Sequence, residues 1–298
     1  MNRYFLIILI CIGTGFVFSQ NYIDLLKVSV NTTPYNRFDT SLAKTKVNEF
    51  VVDLTIPIKL NENTSVITGV ICENIETKLF EEGNIKSFGS STLKLGLNNK
   101  FNEKLSGTLV LLPKIASDYK SIGINDFQIG AIGILKLKKH DNLNYKVGLY
   151  YNSELFGPFF VPMLGFYYLS PNKKFEANIM LPLQGDISYK MVPFLSIGCN
   201  YNGLIRTYHL NEDNGAYVSK FSNELYAYLK FDVTKKMCFQ TKVGQSIGRK
   251  YKVYAENDKV DFGLPLAMIG GHRKQLNTNF SDGLIFQFAF FYRFSLKN

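Results

Sequence analysis

The chain has 298 residues, 46% of them hydrophobic, and a formal net charge of +10 at pH 7. Beyond the N-terminal segment, no stretch approaches the ~18 consecutive apolar residues of a membrane-crossing helix, which excludes a helical membrane protein. The positive charge is not accompanied by a nucleic-acid-binding motif, so we expect no nucleic-acid partner. The mean hydropathy of −0.02 still allows a β-barrel, whose alternating strands average out in hydropathy.

The N-terminus predicts a cleaved signal peptide. Arg3 supplies a positive charge, residues 4–18 are mostly apolar, and Ser19 is a small residue suited to a cleavage site. The alternative is an uncleaved anchor, but the apolar run is interrupted by glycines and falls short of the ~20 residues that a span needs. We therefore expect residues 1–19 to be removed and residues 20–298 to form one exported domain.

Alternating runs of apolar and polar residues fill the chain after the signal peptide. Leu93, Leu95 and Leu97 share one face of such a run, with Thr92 and Lys94 opposite. Period-two alternation indicates a strand, and no segment keeps a helical periodicity over a comparable length. The mature chain is therefore predicted to be all-β.

The connections between these runs have two different lengths. Six short polar turns are predicted at 61–64, 98–104, 138–144, 170–174, 191–193 and 233–236. Seven mostly longer loops are predicted at 32–47, 73–90, 113–126, 153–158, 183–185, 206–220 and 250–282. Tight periplasmic turns and long outer loops are typical of bacterial outer-membrane barrels. The pattern predicts a transmembrane antiparallel up-and-down β-barrel of about 14 strands.

Two alternatives to this architecture remain. If 183–190 is a bulged part of one strand, the count falls to twelve. A secreted β-sandwich or β-helix would also alternate. However, the polar faces here are often small or glycine-rich, and 14% of the residues are aromatic. Girdles of aromatic residues at the membrane interfaces explain this aromatic content better than a sheet with one face in water does.

The last predicted strand has two chemically different faces. Its outward face is an aromatic row: Phe286, Phe288, Phe290, Tyr292 and Phe294. The other face carries Gln287 and Arg293, which suits a strand between lipid and a wet lumen. With the secretory start and the hairpin series, this FQFAFFYRF stretch resembles outer-membrane β-barrel proteins of unknown function from Bacteroidota-type Gram-negative bacteria. The resemblance implies that the barrel-assembly machinery reads the terminal strand, and it brings no catalytic or ligand residue.

The same alternation predicts which charged side chains face the lumen. They are Asp53, Lys59, Lys94, Lys136, Lys146, Glu176, Glu224, Lys230, Lys242 and Arg293. Because bases outnumber acids, a hydrated lumen would favour anionic solutes. The alternative is that these groups pair across a narrow, filled interior that conducts nothing.

The outer rim and the last loop offer further candidates. Basic side chains there could bind lipopolysaccharide phosphates: Arg206, Arg249, Lys250, Lys252, Arg273 and Lys274. The loop 250–282 contains an apolar stretch, 262–271, that should not stay exposed. It could form a lid over the mouth or, as the plainer option, a hairpin turning around 256–259 that extends two strands.

Catalytic, cofactor and metal patterns are not found in the sequence. Walker, HExxH and CxxC motifs are absent. His209, near Glu212 and Asp213, is the best candidate acid/base group for a loop-based hydrolase, although a solvated loop histidine is the simpler interpretation. An acidic cluster in a predicted loop is most simply a solvated face: Glu73, Glu76, Glu81 and Glu82.

The sequence thus predicts a protein of the outer membrane that is a passive pore or transporter for small solutes or lipophiles, mildly favouring anions. The alternative is a non-conducting barrel whose long outer loops serve adhesion, surface binding or envelope integrity. Expected partners are outer-membrane lipid, lipopolysaccharide and, during insertion, the barrel-assembly machinery. The sequence does not indicate an oligomeric state.

Overall fold

The computed structural model describes residues 22–213, 215–265 and 267–295. The predicted signal peptide and its cleavage point lie outside the described residues. Within these three ranges, no helix is long and apolar enough to cross a membrane.

The described residues form sixteen β-strands and two short 3-10 turns. The strands are β1 (Tyr22–Arg37), β2 (Lys44–Lys59), β3 (Thr64–Thr77), β4 (Lys86–Lys100), β5 (Leu105–Ser117), β6 (Phe127–His140), β7 (Leu143–Glu154), β8 (Gly157–Leu169), β9 (Phe175–Leu181), β10 (Gln184–Val192), β11 (Leu195–Leu210), β12 (Ala216–Asp232), β13 (Met237–Tyr254), β14 (Phe262–Leu264), β15 (Ala267–Ile269) and β16 (Leu284–Ser295). The 3-10 turns are Ile124–Asp126 and Asn211–Asp213.

Fourteen of the strands close into a barrel. β1 to β13 pair antiparallel in chain order, and β16 completes the ring by pairing with both β1 and β13. The prediction of an all-β, up-and-down, fourteen-stranded barrel is confirmed. The twelve-strand alternative is wrong, because β9 and β10 are separate antiparallel strands joined by two residues.

The connections follow the predicted asymmetry, but most of the loops are shorter than expected. All six predicted turns join strand pairs at one end of the barrel, which we call the turn end, together with both described termini. At the other end, the loop end, β1 and β2 are separated by only 38–43, where a loop over 32–47 was expected. The strands therefore continue past their apolar runs, because the pairing extends into segments that are polar on both faces.

The last loop does form a hairpin, but the predicted position was wrong. β14 and β15 pair with each other inside the apolar stretch, whereas the turn was expected around 256–259. β14 also makes a parallel bridge to β8, with Gly263 opposite Phe159. The rest of the loop also contacts the connections at the loop end, where Asn277 donates to the carbonyl oxygen of Leu79 and Asn125 donates to Glu256.

A belt of exposed apolar side chains surrounds the barrel. It includes Leu93, Leu95, Leu97, Leu109, Leu111, Leu135, Leu137, Leu149, Leu164, Leu225, Leu229, Phe286 and Phe288. The residues that alternate with them on the same strands, such as Gln287 and Arg293, are buried on the inner face. A continuous apolar surface of this kind is costly in water, so the neighbour of the belt is lipid.

If the belt contacts lipid, a charge placed in it should destabilise the barrel. Leu95 on β4, which is 50% exposed, tests this. Leu95→Arg should lower the free energy of unfolding by about 2–4 kcal/mol, the cost of a cation on the lipid face near mid-bilayer. The measurement is a denaturant titration in lipid vesicles, followed by heat-modifiable gel mobility. Ile124→Arg is the matched control, since Ile124 is 84% exposed at the loop end and should change stability by no more than about 0.5 kcal/mol. Equal effects at both sites would mean that the belt does not contact lipid.

Candidate functional site in the barrel lumen

The upper part of β11 leaves the wall and crosses the lumen. His209 of β11 pairs with Ser117 of β5, on the far side of the ring. The backbone N–H of Asp118 donates to the carbonyl oxygen of His209 at 2.9 Å. Tyr208 and Thr207, on opposite faces of β11, are both fully buried. The strand therefore divides the loop-end half of the lumen into two compartments.

Four charged side chains form the loop-end ion cluster: Glu49, Glu73, Arg206 and Lys220. The Lys220 Nζ lies 2.6 Å from Glu49 Oε1 and 3.5 Å from Glu73 Oε1, and its side chain is 1% exposed. Arg206 Nη1 lies 2.8 Å from Glu73 Oε2. Two bases and two acids thus neutralise one another across the lumen. The predicted solvated loop position of Glu73 and the predicted lipopolysaccharide contact of Arg206 are both wrong.

Tyrosine hydroxyls complete the hydrogen bonding of this cluster. Tyr208 donates to Glu73 Oε2 and Tyr251 donates to Glu49 Oε1, each at 2.9 Å. Buried carboxylates need such donors in addition to their cationic partners. Arg249 is also buried. Its guanidinium donates to the Thr33 hydroxyl at 2.9 Å and to the Asn36 side-chain oxygen at 2.5 Å. Its predicted role as a rim ligand for lipopolysaccharide is therefore wrong as well.

His209 is not a solvated loop histidine. It lies in β11, and its Nδ1 is 2.7 Å from Asp126 Oδ1. Glu212 and Asp213, the expected partners, instead lie 3.6 and 3.0 Å from the Nζ of Lys86. The predicted acid/base set therefore does not assemble, and the His209–Asp126 pair fastens β11 to the loop before β6.

Glu154 of β7 provides a second fastening for β11. Its Oε2 accepts from the backbone N–H of Thr207 at 2.8 Å and from the Thr207 hydroxyl at 2.6 Å. Its Oε1 lies 3.8 Å from Lys114 Nζ of β5. Because the bridge to β5 is at His209 and no strand of the described residues pairs with Thr207 on this edge, the carboxylate satisfies a backbone donor that would otherwise be buried and unpaired.

Packed rings fill the rest of the loop-end half. The buried cluster there includes Phe38, Ile75, Leu79, Phe88, Tyr208, Tyr251 and Phe280. The Phe88 and Tyr208 ring centroids are 5.1 Å apart, and those of Tyr251 and Phe280 are 5.4 Å apart. With the ion cluster, these rings fill the loop-end mouth on one side of β11, and a second buried cluster that includes Phe156, Tyr217 and Tyr254 packs on the other side.

The carboxylate of Glu81 links three loops above this core by hydrogen bonds. Glu81 accepts a hydrogen bond from the Thr40 hydroxyl and another, at 2.8 Å, from the Thr278 hydroxyl. These bonds lower the pKa of the Glu81 carboxyl because they favour its charged form. Glu81 thereby joins the first, second and last loops.

The turn-end half is open and basic. A cavity of about 510 Å³, which we call the vestibule, is lined there by Glu176, Lys230, Arg293 and others. Its basic residues are Lys173, Lys174, Lys190, Lys230, Lys235 and Arg293, and its acidic residues are Glu176 and Asp232. Arg293 Nε lies 2.6 Å from Asp24 Oδ1, which links the last barrel strand to the first.

The other predicted lumen charges also lie on the inner face, among polar and charged neighbours. Lys94 pairs with Asp53, Lys146 donates to Asn178 at 2.7 Å, and Lys242 donates to Asn200 at 2.9 Å. Glu224 accepts from the hydroxyls of Tyr226 and Ser222 at 2.8 and 2.9 Å. Lys59 pairs with Glu62 in a turn, 2.9 Å away. Lys136 of β6 lies opposite Lys146 of β7.

Sequence reasoning missed Glu49, Lys114, Glu154 and Lys220. Lys114 and Lys220 fell in predicted loops, although the alternation from Lys230 through Glu224 continues to Lys220. Following that periodicity into the polar segment would have found it.

A second cavity, which we call the lumen pocket, lies between the two halves. Its volume is about 360 Å³. Apolar side chains dominate its lining, among them Ile71, Ile132, Ile134, Phe159, Met163 and Met180. Its charged residues are Lys114 and Arg206, both already paired with glutamates.

The fold and its apolar belt define a closed β-barrel of the outer-membrane type. The chain belongs to the family described as a domain of unknown function, DUF6268, whose model matches residues 40–284. No curated protein matches the chain. The bacterial group implied by the sequence resemblance stays a prediction.

Several solved structures are similar to this chain. The COG4313 outer membrane channel from Pseudomonas putida F1 is 10% identical, with a TM-score of 0.46 over 91% of this chain and 96% of that one. The NanC porin is 9% identical, with a TM-score of 0.38 over 90% and 98%. OprB of Pseudomonas putida is 8% identical, with a TM-score of 0.37 over 92% and 94%.

Proposed function

We propose that this barrel is a gated transporter for small, largely apolar solutes and that it is not a permanently open pore. The observation that carries the proposal is an apolar lumen pocket beneath a loop-end mouth that packed side chains close. An open porin would instead present a continuous polar path. The closed mouth means that solute passage requires a rearrangement of the lumen.

The chemistry of the lumen pocket favours an apolar solute. At about 30 Å³ per water, the pocket has room for roughly a dozen water molecules, which is enough for a molecule of one or two rings. Ile132, Ile134 and Met163 offer no hydrogen bonds, so a polar group that lies against them would lose its hydration without compensation. Polar side chains elsewhere on the lining, among them Gln184 and Asn202, leave room for one polar group on a largely apolar solute. Lys114 and Arg206 are held by Glu154 and Glu73 and are not free to bind an anion.

The vestibule adds a mild preference for anions at the turn end. Six basic and two acidic side chains line it, and such an excess raises the local concentration of anions. A solute that is largely apolar but carries a carboxylate fits this arrangement as well as a neutral one does.

The alternative function, in which long outer loops serve adhesion or surface binding, has less support. Most loop-end connections are short, as in 38–43, 78–85 and 155–156. Only 255–283 keeps the length that such a role needs.

Saturable binding of an apolar probe tests the proposal. The fluorescence of N-phenyl-1-naphthylamine should rise saturably with folded protein in micelles, above the level of empty micelles. Ile132→Trp, which fills the lumen pocket, should abolish that signal. Leu135→Trp, on the lipid face of the same strand, should leave it intact. Saturable binding that survives Ile132→Trp would refute the pocket as the solute site.

Conductance supplies the second test. Wild-type protein inserted into a planar bilayer should show no steady open-channel steps, because the loop-end rings and ion cluster fill the mouth. Regular ohmic steps from the wild-type chain would contradict a gated transporter and favour a passive pore.

A further inference from the structure

The hydrogen-bonded wall of the barrel is incomplete between β8 and β11. β9 and β10 have 7 and 9 residues, whereas β8 has 13 and β11 has 16. Pairing between β8 and β9 reaches only as high as Leu164, and pairing between β10 and β11 stops at Asn202. Above these residues, no barrel strand of the described ranges stands between β8 and β11. We call this stretch the seam.

Below the backbone contacts that the last loop makes with Phe156 and Phe159, side chains close the seam in place of backbone hydrogen bonds. Phe159 and Met163 of β8 and Met180 of β9 share a buried hydrophobic cluster, and Leu183 and Ile205 pack against it. The same five residues line the lumen pocket. Apolar contacts can part without leaving a buried donor unpaired, whereas parting two paired strands would break a ladder of hydrogen bonds. The seam is therefore the part of the wall that opens at least cost.

The lipid-facing surface continues up to the seam. Leu164 and Leu181 pair with each other directly below it, and they are 70% and 51% exposed. From the lipid beside these residues, a molecule reaches the lumen pocket by passing Met163, Met180 and Leu183, and Gln184 and Asn202 also line the pocket on this side. The three apolar side chains allow an apolar solute to enter without desolvation of a charged group.

The last long loop covers the loop end of the seam. The backbone N–H of Val260 donates to Phe156 O at 2.7 Å, and Gly263 bridges to Phe159. The Arg273 guanidinium lies 5.0 Å from the Phe156 ring centroid. This cover separates the seam from external water, so the side that remains accessible is the lipid.

We propose that small apolar solutes pass between the outer leaflet and the lumen pocket through the seam. This inference rests on the proposed function and adds the route. The solute is drawn from the lipid phase, and the loop-end mouth stays closed throughout.

Thiol labelling inside the lumen pocket tests the route. Ile71→Cys places a thiol on the pocket wall, in a background where the native cysteines, which are free, are replaced by alanine. N-phenylmaleimide dissolved in the vesicle bilayer should label it. Leu183→Trp fills the foot of the seam and should slow labelling roughly tenfold or more, an added barrier of about 1.4 kcal/mol. The matched control is Leu181→Trp, which faces lipid and should leave the rate unchanged.

The outcomes separate the route from the function. If Leu183→Trp leaves the labelling rate of Ile71→Cys unchanged, the solute uses another path and the seam is refuted, while the pocket stands. If N-phenylmaleimide fails to label Ile71→Cys in otherwise unfilled protein, the proposed function fails with it. Heat-modifiable mobility confirms the folding of each variant, and Ile205→Trp repeats the test from the opposite side of the seam.

Discussion

Lys220→Met should lower the free energy of unfolding by about 3–5 kcal/mol, the usual cost of removing one partner from a buried ion pair. The Lys220 ammonium is the partner of Glu49 and the second partner of Glu73. Methionine has a similar length and fills the space, so the loss reports on charge and not on volume. Denaturant titration of the folded barrel in micelles, followed by gel mobility, measures it.

Two comparisons show whether the effect arises from the buried charges. Lys220→Met combined with Glu49→Gln should recover a large part of the loss, because the second change removes the stranded charge. Lys250→Met, at an exposed position of β13, should stay within about 0.5 kcal/mol of wild type. A cost below about 1 kcal/mol for Lys220→Met would mean that water reaches the cluster and that the lumen is not filled.

Removing three rings from the loop-end core should convert a silent barrel into a conducting one. Phe88, Tyr208 and Tyr251 form a continuous group, with centroid separations of 5.1 and 6.4 Å from Phe88. Their replacement by alanine opens a path past the ion cluster. Single-channel steps in a planar bilayer should appear, and the reversal potential in a salt gradient should lie toward that of chloride because of the basic vestibule.

A matched deletion on the lipid face controls for general loosening. Phe239, Phe288 and Phe290 also form a stack, with centroid separations of 5.8 and 5.3 Å. Their triple replacement by alanine should leave the barrel silent. If the core variant keeps its heat-modifiable mobility and does not conduct, the rings are not what closes the mouth. If the triple variant does not fold, the single change Tyr251→Ala serves as a milder opening that retains more of the core.

The fold could be predicted from the sequence because lipid imposes a uniform rule. Every strand must place apolar side chains outward, as Leu93 and Leu95 do, whatever lies inside. Turn residues then mark the strand ends at the turn end, and the count of fourteen follows. The loop-end boundaries were set too early because polar residues occupy both faces there. The apolar periodicity therefore stopped before the hydrogen-bond ladder did.

The filling of the lumen could not be predicted, because it depends on partners far apart in the chain. Arg206 and Glu73 are 133 positions apart, and no local pattern brings them together. The inward course of β11 follows from the shortness of β9 and β10, which removes the neighbour it would otherwise have. The sequence left a filled interior and a hydrated one as alternatives. The partnered charges and packed rings of the loop-end half now favour the filled interior there.

The ion pair between Arg293 and Asp24 has a consequence for how the ring is closed during insertion. A slip of one residue between β16 and β1 would turn every side chain of β16 to the opposite face. Arg293 and Gln287 would then lie against lipid, and Phe288 would lie against the polar interior. Misaligned closure is penalised along the whole strand, so the last strand carries its own means of selecting the correct partner register.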